Sequence, residues 1–167
     1  IQGDHFRPIK VPSNSKRGGL LGMAAIHAMG SDGVESNPVE RGAWVLRYIM
    51  NDPPPPAPAN VSQIAQLNKN DKHGGIRSLL SQHRDDPKCA SCHNKIDPIG
   101  FGLENFNATG LWRSTYSSHS PYKGQRVISS DTLHNGKSFN GFIELRNILA
   151  KDYQSNFVRG FVQALIA

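Results

Sequence analysis

Apolar residues recur at helical spacing in several stretches of this chain, separated by segments rich in glycine, proline and serine. Val39, Ala43, Leu46 and Met50 fall on one face of a helix. The Asn37-Pro38-Val39-Glu40 sequence at their head is a strong start signal: Asn accepts from a free backbone N–H, Pro at the first position gives up no hydrogen bond, and an acid follows three residues after the cap. The pattern predicts an amphipathic helix over 38–51. A shorter helix is expected over 19–29, with Gly30 as its left-handed stop. Another is expected over 76–84. Asp86 before Pro87 then starts a helix that runs through Cys89 and Cys92. Asp97-Pro98 repeats that signal and predicts a separate short helix over 101–106. Asn140 is placed to cap 141–150, and a final helix over 156–167 carries Phe157, Val158, Phe161, Val162, Leu165 and Ile166 on one face.

What lies between is different in kind. Residues 1–17 read as loop. Residues 110–139 read as loop or a small hairpin, with short β-like stretches at 112–116 and 126–128. Pro53 to Pro56 and Pro58 are expected to form a stiff polyproline strut, a spacer between two subdomains or, as the lesser reading, a groove ligand for a partner. The expectation is a mainly α fold: an N-terminal helical segment over 1–60 that ends in the strut, and a second unit over 61–167, the two forming one cooperative unit. No internal repeat is visible. The last helix has no Gly, Pro or basic stop signal, and the chain starts at Ile1 without a signal segment. Both features lead to the expectation of a processed or partial chain.

Composition adds limits. In 167 residues, 37% are hydrophobic and 19% charged, with 16 Gly and 11 Pro, which implies one domain or two very small ones, many loops and a thin core. No apolar run approaches the roughly 18–20 residues of a membrane span. The net charge of +6 favours an anionic partner. The basic residues are scattered, however, and no aromatic residues interleave with a basic run, so nucleic acid is not the expected partner.

The specific chemistry lies in Cys89-Ala90-Ser91-Cys92-His93. C-x-x-C-H is the attachment pattern for c-type haem. Residues three apart on a helix share a side. Two thiols so placed can each add to one of the two vinyl groups of a porphyrin, and His93 is then set to supply the proximal nitrogen to the iron. Other readings remain: a dithiol redox pair, which asks for a thioredoxin-like βαβ context that is not visible, and half of a zinc site with His93 and a distant His, which asks for a second, tightly spaced ligand pair that His73 and His83 do not form. A disulfide across two residues would be strained.

The surroundings of the motif resemble the planctomycete-type cytochrome c modules. The resemblance is carried by the run from His83-Arg84-Asp85-Asp86-Pro87 through the motif to Asp97-Pro98-Ile99-Gly100-Phe101-Gly102-Leu103-Glu104-Asn105-Phe106. It extends to Arg17-Gly18-Gly19-Leu20-Leu21-Gly22-Met23, to Ser36-Asn37-Pro38-Val39-Glu40-Arg41-Gly42 with the proline run, and to 139–146 and the last helix, so it covers nearly the whole chain. It implies a cytochrome c-like helical haem domain with one covalent haem c on Cys89 and Cys92, His93 as iron ligand, and a place near the end of a large exported protein, at the periplasm or cell surface. The final helix of such modules runs a little further than this chain.

The sixth iron ligand is less specified. A Met sulfur raises the potential, a second His lowers it, and an open position admits small ligands. Met23, after Gly18, Gly19 and Gly22, is the candidate, and the resembling modules commonly carry Met, His or Gln there. Met29 and His27 come next, and helix packing is the bland alternative. Met50 reads as core; His5, His119 and His134 read as surface. His83 faces solvent or a haem propionate, for which Arg84, Lys95, Arg113 and Arg126 are further candidates. Trp112 packs by the porphyrin edge or in ordinary core. Three functions follow: electron transfer to a redox partner protein or to other domains of a larger chain; a haem enzyme or gas or peroxide sensor with a displaceable sixth position; and a structural haem that completes a thin core. A peroxidase would need a distal acid–base pair, for which only His27 with Glu35 or Arg41 offers itself.

Overall fold

The computed structural model describes residues 4–6, 8, 10, 12, 14–16, 18–56 and 75–167. Pro58 at the end of the strut and His73 lie outside this set. Among the described residues the chain is mainly helical, with six α-helices and one small antiparallel sheet of two strands.

The expected helix at 19–29 is split. A 3-10 turn, Gly19–Gly22, precedes α1, Ala24–Ala28, and Met23 between them is extended. Gly19 and Gly30, at the two ends of the stretch, both take left-handed φ, 57° and 63°. Helix α2 spans Pro38–Tyr48 and starts as its sequence dictates, with the Asn37 side-chain oxygen accepting from the Glu40 N–H at 3.2 Å. It stops three residues short of the expected end. Asn51 turns left-handed, φ 50°, and the Asp52 N–H donates back to Leu46 O. Met50 is nevertheless core, as its spacing predicted.

Helix α3 is Gly75–His83 and α4 is Pro87–Gly102. Asp86 caps α4, its carboxylate accepting from Lys88 N–H at 2.8 Å. The separate helix expected after Asp97-Pro98 does not exist: α4 continues through Pro98. Pro98 removes the hydrogen bond to Asn94, an exposed residue, while Asp97 and the whole run from Ile96 to Gly102 are buried. Packing outweighs the local break signal. The first half of α4, up to Lys95, remains exposed or half-buried, so the helix has a wet end and a dry end.

The β-like stretches are also displaced. Residues 112–116 and 126–128 contribute only the isolated bridges Phe106 to Trp112 and Thr115 to Arg126. The hairpin is β1, Ser130–Thr132, and β2, Ser138–Asn140, with Asp131 opposite Phe139. Helix α5, Phe142–Asp152, follows, with Gly141 rather than Asn140 at its cap. Helix α6, Gln154–Ile166, ends the chain. Phe157 packs on the core, but Val158, Phe161, Val162, Leu165 and Ile166 are all exposed.

The core is built on the crossing of α2 and α4, where Val45, Leu46 and Met50 meet Ile96, Ile99 and Leu103, with Phe106, Phe142 and Leu145 behind them. Two glycines allow the crossing. A methyl group at Gly42 would run into the carbonyl oxygen of Ile96, and one at Gly100 into that of Pro38. Beside it lies a polar knot. Arg41 is fully buried and donates to the carbonyls of His27, Phe106 and Asn107 at 2.8–2.9 Å and to Glu104 at 3.2 Å. Glu104, equally buried, also accepts from Ser36, Arg113 and Tyr116.

Candidate functional site

Cys89, Cys92 and His93 occupy the wet half of α4. The Asp86 cap and Pro87 fix where the helix begins, and so fix the motif within its first two turns. The cysteines, three apart, share a side of the helix. Both are free thiols and half-buried. Cys92 packs against the core, and Ser91, whose hydroxyl donates to Lys88 O at 2.8 Å, stands 3.8 Å from its sulfur.

His93 is held from two sides. Its Nδ1 lies 2.8 Å from Oδ1 of Asp97, one helical turn on. The ring of His83 meets it edge-on, with centroids 4.6 Å apart. Burial and the neighbouring His93 hold His83 below the usual imidazole range. Asp97 is fully buried, and its second oxygen accepts no hydrogen bond among the described residues; Arg84 Nε stands 3.7 Å from it. With Nδ1 engaged, Nε2 is the nitrogen His93 has left for a metal.

Asp97 is the site residue that the helix-start reading concealed. Its offset of four from His93 on a helix was the available signal.

Met23 lies outside this cluster. It sits in the extended link before α1 and is 51% exposed. Helix α1 is anchored near the far end of α4: His27 stacks on Phe106 at 4.4 Å, and Ala24 lies against Gly110. His27 is core. Its Nε2 donates to Leu21 O at 2.9 Å, and burial, with Arg41 nearby, lowers its pKa to about 4. Arg41, pushed down to about 10 by burial against the opposing pull of Glu104, is committed to the polar knot. His27 with Arg41 is therefore a packing pair, not a distal acid–base pair. Met29 caps the end of α1, half-buried.

The expected propionate partners are distributed elsewhere. Arg113 is bound to Glu104 and Ser36, Lys95 pairs with Asp52 at 3.2 Å, Arg126 is exposed, and only Arg84 adjoins His93 through Asp97. Trp112 packs on Phe106 and Phe142, with Lys16 over its ring. His5, His119 and His134 are exposed.

Among the described residues, cavities away from the motif include one of about 570 Å³ bounded by Trp112, Arg126 and Phe142, one of about 540 Å³ bounded by Lys16, Phe106 and Gly110, and one of about 510 Å³ bounded by Arg77, Phe101 and Tyr116. Among the described residues no group of three His, Cys, Asp or Glu side chains could hold a metal ion alone, and no helix is long and apolar enough to cross a membrane. A haem iron asks less of the chain, because the porphyrin supplies four ligands and the protein one or two. The donor set here, two free thiols beside an imidazole with one nitrogen available, fits that group.

Fold and site thus define a mainly helical protein with a C-x-x-C-H helix at its centre. Residues 17–116 match the model of the PSCyt3 family, described as a protein of unknown function (DUF1588), and the chain belongs to that family. No curated protein and no solved structure matches the chain.

Proposed function

We propose that this chain is a c-type cytochrome module that carries one covalent haem and transfers electrons, as part of a larger exported redox protein. One observation carries the reading: two unpaired thiols one helical turn apart, followed at once by an imidazole whose Nδ1 is already engaged, so that its Nε2 is directed to ligation. The short family name, PSCyt3, points the same way. When bound, the haem supplies one-electron exchange at iron. Cys89 and Cys92 tether it through thioethers, His93 holds the iron, and the dry half of α4, locked against α2, keeps these three side chains in register. We read the α2–α4 crossing as that of a cytochrome c-like fold on the same grounds. Since haem is attached to such motifs outside the cytoplasm, the periplasm or cell surface is the proposed location. The net charge of +6 favours weak, salt-sensitive encounters with an acidic redox partner.

Met23, although it lies outside the Cys89–His93 cluster here, is the residue we propose would supply a second protein ligand to the iron. Its half-exposed thioether favours a second reading as well, in which the sixth position is displaceable and the module senses or reduces a small ligand.

The test is expression with a haem-attachment system, haem staining on a denaturing gel, and absorption spectra. Wild type should stain, Cys89→Ala with Cys92→Ala should not, and Met23→Ala should lose the sulfur-to-iron charge-transfer band. A colourless wild-type protein refutes the proposal. A high-spin spectrum that responds to carbon monoxide selects the second reading.

A further inference from the structure

We infer that Asp97 is the positioning residue of this site and sets it at low reduction potential, by making His93 an unusually strong donor; the inference rests on the haem reading above. A histidine ligand that donates its second N–H to a carboxylate is fixed in tautomer and ring orientation and gains basicity. Greater basicity at Nε2 stabilises ferric over ferrous iron, which lowers the potential.

Three features distinguish this pair from an ordinary helical ion pair. First, Asp97 is fully buried although a carboxylate is costly to bury, and it sits on the packing face of α4 where an apolar residue would cost the fold less. Second, its charge is little used elsewhere. Oδ1 serves His93 at 2.8 Å, Oδ2 accepts no hydrogen bond among the described residues, and the facing cation, Arg84, stands off at 3.7 Å and is itself 24% exposed. Third, His83 packs edge-on against the His93 ring and limits its rotation away from Asp97. The arrangement also excludes the role the local sequence suggested, because Asp97 lies inside α4 and caps nothing.

Arg84 supplies a control with the opposite sign. It partly neutralises the carboxylate, so its removal lets the negative charge bear more fully on His93. The experiment is potentiometric titration of haem-loaded wild type, Asp97→Asn and Arg84→Gln, with the iron–histidine stretching frequency of the ferrous, ligand-photolysed form measured by resonance Raman. Asp97→Asn should shift the midpoint potential positive and lower the stretching frequency. Arg84→Gln should shift the potential negative. Loss of packing alone would move both variants the same way, so shifts of equal sign overturn the inference, as does an unchanged Asp97→Asn. Should Asp97→Asn fail to retain haem, Arg84→Gln decides: a negative shift supports the inference and any other result overturns it. Wild type without haem removes the haem reading itself; wild type with haem and inert variants removes only the role of Asp97.

Discussion

His27 brings a titratable ring into the core with one hydrogen bond and no partner for its other nitrogen among the described residues. Its folded pKa of about 4 lies below the unfolded value of 6.5. Between these values the unfolded chain takes up a proton that the folded chain refuses. Stability from this residue is therefore complete above pH 6.5 and declines as the pH falls toward 4, by up to about 3 kcal/mol. His83, also held low, adds in the same direction. Denaturant midpoints at pH 7 and pH 5 should differ in wild type, and the difference should shrink in His27→Gln. Legibility at this scale was uneven. Cys89, Cys92 and His93 stand out by type and spacing alone. Asp97 and Glu104 do not, because an acid near a proline or at a helix end has a cheaper local explanation, and only burial reveals that it is engaged.

At the scale of elements, starts were more legible than stops. The Asn37 and Asp86 caps act through side-chain oxygens on nearby backbone N–H groups, so three or four residues suffice to read them. The course of α4 through Pro98 depends on α2, thirty or more residues distant in the chain, and no local signal contains it. The split at Met23 and the placement of β1 and β2 are likewise settled by what packs behind them. The α2–α4 crossing yields the sharpest prediction of this kind. Gly100→Ala places a methyl group against the Pro38 carbonyl, and backbone cannot step aside as a side chain can. A loss of about 1–3 kcal/mol or more is expected from chemical denaturation. Gly124→Ala, on an open turn with nothing nearby, should cost only its backbone strain.

The polar knot ties the whole molecule together beside its hydrophobic core. Arg41 on α2 gathers the carbonyl ends of α1 and of the turn after α4, and Glu104 gathers Arg113 and Tyr116, whose hydroxyl is pushed up by burial and by that carboxylate. Arg41→Ala leaves Glu104, still paired with Arg113, beside a void, and the carbonyls of His27, Leu103, Phe106 and Asn107 short of a donor. The expected loss is about 3–5 kcal/mol, read from urea unfolding. That long-range convergence joins segments on both sides of the proline strut, and nothing in the pattern of apolar residues announces it.

The two unlike halves of α4 bear on how such a protein matures. Its opening turns can fray into solvent while Ile96 to Gly102 stay locked, since the former lie near the surface and the latter are sealed beneath α2. On the proposed haem reading, an enzyme that must handle Cys89 and Cys92 as an extended peptide would open these turns and the His93–Asp97 contact without dismantling the domain, and the finished link would then fasten the more exposed part of the central helix.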